Sequence, residues 1–60
     1  MDEKQISEYA HRLRESHGDK AELVAAQKSR ELEGQNKMED AEDWNRIRAA
    51  IRSLRDVKLS

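Results

Sequence analysis

The chain is predicted to be all-α, a tight helical hairpin followed by a longer third helix, and three observations carry that prediction. Ala, Leu, Glu, Arg, Lys and Gln, the strong helix formers, dominate its 60 residues. Proline is absent, and the only two glycines, Gly18 and Gly34, each stand where a helix would stop. Between these breaks the apolar residues recur at intervals of three and four, the spacing of one buried helical face.

The first helix is expected over about residues 3–17. Ile6, Tyr9, Ala10 and Leu13 fall at i, i+3, i+4 and i+7, and His17 extends the stripe by a turn. Asp2 followed three residues later by Gln5 reads as a capping box, and Gly18 supplies the residue able to turn the chain out of the helix.

Asp19 and Glu22 repeat the capping-box spacing, so a second helix is expected over about 20–33, ending at Gly34. One or two residues between helices leave little freedom in their angle, which makes the first two elements a tight hairpin. The second helix is less clearly faced than the first. Ala21, Val24, Ala25, Lys28 and Leu32 share one side, while Leu23 and Ala26 lie on the other, open to cover by the turn or to an interface. Glu31 and Glu33 sit against the negative end of the helix dipole, which weakens that turn by about a few tenths of a kcal/mol each.

Asn36 with Glu39 gives a third capping box and a helix expected over about 37–57. Glu39, Asp40, Glu42 and Asp43 fill its first turns, whereas Arg46, Arg48, Arg52, Arg55 and Lys58 fill its later ones, as the macrodipole prefers. Glu42 with Arg46 and Arg52 with Asp56 add i,i+4 pairs. Its seam is Trp44, Ile47, Ile51 and Leu54, widened by Ala50 and Val57 and preceded by Ala41. At under three heptads this seam is too short for an independent coiled coil, and it fits packing on a helical hairpin or on a copy of itself. The tail from Asp56 to Ser60 is expected to fray.

His17-Gly18-Asp19, then Ala21, Ala25 and Leu32, then Trp44, Ile47, Ala50, Ile51 and Leu54 resemble a pattern in short bacterial all-helical proteins. There an HGD turn leads into an Ala-rich helix, a brief acidic loop and a final helix of the form W-x-x-I-x-x-A-I-x-x-L. The similarity spans about Leu13 to Leu54. No activity attaches to those proteins, so the resemblance implies a helical fold and transfers no site residue.

One domain is the most that 60 residues and 7.0 kDa can form, and a core of that size leaves a narrow stability margin. The chain has no cysteine, hence no disulfide, thiolate metal site or cysteine nucleophile. Twelve Lys and Arg nearly balance 13 Asp and Glu, giving a formal charge of -1, where a nucleic-acid-binding domain would be strongly basic. No apolar run approaches a membrane span, and the acidic, polar start MDEKQISEY is unlike a secretory leader, so a cytoplasmic location is expected.

Chemistry is sparse along the chain. His11 and His17 are six apart, about 120° from one another around a helix, which argues against a shared zinc site. Glu8, His11 and Glu15 lie within helical reach of each other, but a solvated charged face is the ordinary reading of that pattern. His17 at a helix C-terminus suits a dipole-capping role. Gly18 and Gly34 are isolated and form no phosphate-cradling loop, and Ser7, Ser16, Ser29 and Ser53 have no activating motif around them. No catalytic residue, cofactor, metal or small-molecule substrate is expected.

A protein-interaction role remains. Arg48, Arg52 and Arg55 line one flank of the Trp44, Ile47, Ile51 and Leu54 seam, and aromatic side chains beside arginine make the composition of a binding hot spot. The competing expectation is that Trp44 belongs to the monomer's core. Residues 31–43 carry six acids and one Lys, and residues 44–60 five basic residues and one Asp, so antiparallel pairing of two chains would join opposite charges. The expected function is thus a non-enzymatic interaction module that self-associates through the third helix. The alternative is a helix-turn-helix-like DNA-binding regulator or antitoxin, with the acids at Glu39 to Asp43 placed awkwardly for phosphate.

Overall fold

A computed structural model describes the backbone of residues 1–56 and the side chains of residues 1–54. Three α-helices account for nearly all of them, with no strand among the described residues: α1 spans Glu3–His17, α2 Ala21–Gly34 and α3 Met38–Asp56. The tail at Val57 to Ser60, the side chain of Arg55 and the Arg52 to Asp56 pair lie outside the described residues.

α1 begins at its expected cap. The Gln5 N–H donates to Asp2 Oδ1 at 2.9 Å, and the Asp2 N–H donates to Gln5 Oε1 at 3.3 Å, which satisfies two otherwise orphaned donors reciprocally. At the other end Gly18 adopts φ 59° and ψ -126°, a region that a Cβ makes costly, and its N–H donates to the Arg14 carbonyl.

The start of α2 departs from the expected capping box. Gly18–Lys20 form a single 3₁₀ turn that runs straight into α2, and the Ala21 N–H donates to the Gly18 carbonyl. The Gly18 carbonyl thereby takes the Ala21 N–H, one of the donors at the helix start that Asp19 was expected to satisfy. Lys20 stands at the N-cap with helical backbone angles and no side-chain bond.

The α2 to α3 connection is a second correction. Gly34 stays within the helix, and the positive φ falls on Asn36, at 63°. Its N–H donates to the Glu33 carbonyl at 3.0 Å, and the Lys37 N–H reaches back to Leu32 at 2.9 Å. These two bonds make a Schellman cap, with Asn36 in the left-handed position that Asn tolerates best after Gly. Asn36 therefore ends α2 rather than starting α3. Lys37 accepts the first bond of α3 instead, from the Ala41 N–H at 2.9 Å.

Packing follows the stripes. Ile6 and Ala10 of α1, Ala21 and Ala25 of α2, and Ile47 and Ile51 of α3 form one buried cluster, with Leu13, Trp44, Ala50 and Leu54 packed around it. α2 and α3 make the most extensive contact, for the small Ala21, Ala25 and Ser29 let the two helices approach closely. Leu32 and Ala41 bury the turn end of that pair. α1 lies along α3 in the same direction: the Met1 amino group is 3.3 Å from Asp43 Oδ2, and one turn on, Ile6 and Ser7 border a hollow with Arg46 and Ala50. The chain extends over 40 × 22 × 16 Å. None of the helices is long and apolar enough, among the described residues, to cross a membrane.

Candidate interaction surface

The α3 seam, expected to offer itself to a partner, is occupied by the chain's own core. Ile47 has no exposed surface and Ile51 has 2%, so neither can touch a second molecule in this fold. Trp44 and Leu54 are half-buried against the same cluster. The Trp44 ring meets Tyr9 of α1 with centroids 6.0 Å apart and planes tilted by 58°, a favourable aromatic arrangement. Of the seven residues expected at an interface, Arg48 and Arg52 are exposed, and the side chain of Arg55 lies outside the described residues. Helical periodicity identifies an apolar face without saying which helix covers it, and here α1 and α2 do.

What remains open is a strip where α2 and α3 meet. Arg48 shares a cleft of about 370 Å³ with Asp19 of the 3₁₀ turn and with Glu22, Leu23, Ala26, Gln27 and Arg30 of α2. On its other side Arg48 borders a hollow of about 290 Å³ with Asn45, Ala49 and Arg52. One arginine thus joins two shallow depressions into a continuous surface.

The rotation of α2 explains why these residues point outward. Ala21, Ala25, Ser29 and Leu32 turn to the core, so Leu23, Gln27 and Arg30, on the opposite side of the helix, face water, with Ala26 half-buried beside them. Leu23 is 56% exposed, an apolar side chain in the middle of a charged strip. Arg30 and Arg48 have no ion pair among the described residues, where the bridges are Met1 with Asp43 and Glu42 with Arg46. One oxygen of Glu22, Oε1, is buried at the edge of the strip without a hydrogen-bond partner.

Asp19, Glu22, Gln27 and Arg30 were not expected at a site, because the spacing of Asp19 and Glu22 reads as a cap. The available signal was Leu23 with Ala26, out of register with the core stripe.

Ser29 also exceeds its expected role. It is buried, and its Oγ lies 3.2 Å from the Ala41 carbonyl and 2.8 Å from Asn45 Oδ1. A hydroxyl has one proton, so both contacts are hydrogen bonds when Ser29 donates to Ala41 and the Asn45 amide is turned to donate to Ser29. Elsewhere, His11 and His17 are exposed at separate points of α1. No three His, Asp or Glu side chains, among the described residues, are grouped to hold a metal ion, Glu8, His11 and Glu15 included.

Comparison with protein-family models, with curated proteins and with solved structures finds no match to this chain.

Proposed function

We propose that this chain is a non-enzymatic, cytoplasmic protein-interaction module that engages a protein through the α2 and α3 strip. The observation that carries the reading is Leu23, more than half exposed and flanked by Arg30 and Arg48 with no ion pair of their own among the described residues. An apolar side chain beside two guanidinium groups offers area to bury and directional donors next to it, the arrangement of a small hot spot. Arg48 and Arg52 keep the role expected of them as an interface flank. The apolar half of that interface moves from the α3 seam to Leu23, Ala26 and Ala49.

A photocrosslinking residue placed at Leu23 of the full chain tests the reading in cells, with the same residue at exposed Glu15 of α1 as control. A heavier protein adduct at position 23, weakened when Arg48 and Arg52 are both changed to Glu, is the expected result. Equal adducts at both positions, or none at Leu23, overturn it. The double Arg to Glu variant must keep its helical circular dichroism, since both side chains are exposed.

A further inference from the structure

We infer that the partner seated on this strip is a second copy of the chain, docked with its α2 antiparallel to the first. The inference rests on the interaction-module reading above and adds the occupant and its register.

The chemistry along the outer face of α2 complements itself when reversed. Asp19 stands at one end, Arg30 at the other, and Leu23 and Ala26 lie between them. Leu23, Ala26 and Arg30 are spaced 3 and 4 along α2, the interval of a coiled-coil seam, and Asp19 lies in the 3₁₀ turn that leads into the helix. A two-fold axis passing between Val24 and Ala25 makes Asp19 and Arg30 equidistant from it, and likewise Leu23 and Ala26. Two copies related by that axis layer Leu23 beside Ala26 of the second copy on either side of the centre. Each end then closes with Asp19 beside Arg30 of the second copy. An isologous interface requires this property, because the same patch must serve as both partners.

Two further features agree with the register. Ala26 has a short side chain, so the exposed Leu23 of the other copy has room above it. Glu22 lies three residues from Asp19 on the same cleft, so Arg30 of the second copy comes near both acidic residues. A net charge of only -1 sets little overall repulsion against the approach.

Sedimentation of the purified full chain across a concentration series at low salt reads the outcome directly. The expected result is a mass rising from 7.0 kDa toward twice that value with concentration, at a midpoint that moves higher as salt screens the end pairs. Asp19→Arg and Arg30→Asp should each weaken the association by roughly tenfold, and the double exchange should recover most of it, because the pair is restored with its sign reversed. Leu23→Asp should leave a helical monomer. A wild-type mass that stays at 7.0 kDa into the millimolar range overturns the inference, as does a dimer indifferent to the two charge reversals. If the mass stays monomeric while the Leu23 crosslink still forms in cells, a different protein occupies the strip and only the self-pairing fails; if both are negative, the interaction reading fails with it.

Discussion

The residues that matter most to the fold are those with no surface left. Ile47 is fully buried between α1 and α2, whereas Trp44, the largest side chain of the seam, is only partly buried and leans on Tyr9. Truncating a buried Ile to Ala costs about 3 kcal/mol through lost transfer energy and the cavity left behind. Ile47→Ala should therefore lower the urea midpoint further than Trp44→Ala, although Trp is much the larger residue. Equal or reversed shifts would show that the indole is the true keystone. Gly18 makes a different demand. A Cβ built there meets nothing within 4 Å, so space is not what requires glycine. The requirement is the backbone, at φ 59° and ψ -126°, where a side chain costs about 1 to 2 kcal/mol. Gly18→Ala should lower the thermal midpoint by about 4 to 8 °C per kcal/mol lost, and an unchanged midpoint would mean that the turn relaxes to another conformation.

Each helix is specified locally, but the joints between helices are specified by whichever backbone arrangement satisfies the most donors. α1 was legible at its cap, its stop and most of its stripe, all within its own residues, Asp2, Gln5, Ile6, Ala10, Leu13 and Gly18, whereas Tyr9 and His17, expected on the same buried face, are exposed. The two later caps were misread for a common reason. A side chain three residues before a Glu can cap a helix, yet it is displaced when the preceding turn already presents carbonyls, as Gly18 does to Ala21, or when the residue is needed in the left-handed position, as Asn36 is. The face of α2 was legible at Ala21, Ala25 and Leu32 and obscured at position 29, where a polar Ser fills a core position. That Ser is buried because it has partners on α3. Removing its hydroxyl should cost about 1 kcal/mol. In a double-mutant cycle, Ser29→Ala and Asn45→Ala should couple by about 0.5 to 1 kcal/mol, as groups in contact do. A coupling near zero would mean that Asn45 bonds to water instead and leaves Ser29 to the Ala41 carbonyl alone.

At the scale of the whole molecule, an apolar seam on α3 predicts a cover without identifying it, and the same spacing serves a dimer or a core. The difference lies in contacts distant along the chain, such as Met1 with Asp43 and Tyr9 with Trp44, which no local pattern encodes. The proposed interaction strip was legible only as an anomaly, Leu23 out of phase with its neighbours, because the surroundings of a surface residue depend on what α3 places beside it. Since α1 supplies Ile6, Ala10 and Leu13 as the lid on Ile47 and Ile51, the α2 and α3 pair should not stand alone. Without α1 the pair would expose those isoleucines and fall to roughly the 40-residue size below which a domain needs a disulfide, a metal or a partner. A chain beginning at Gly18 should lose most of its helical circular dichroism and show no cooperative melting transition. If it keeps both, α2 and α3 are held by Ala21, Ala25, Ser29 and Leu32 against α3 alone, and α1 is an accessory free to detach. The α3 seam would then be uncovered part of the time, and pairing of two chains through Trp44, Ile47, Ile51 and Leu54 would again compete with pairing through Leu23.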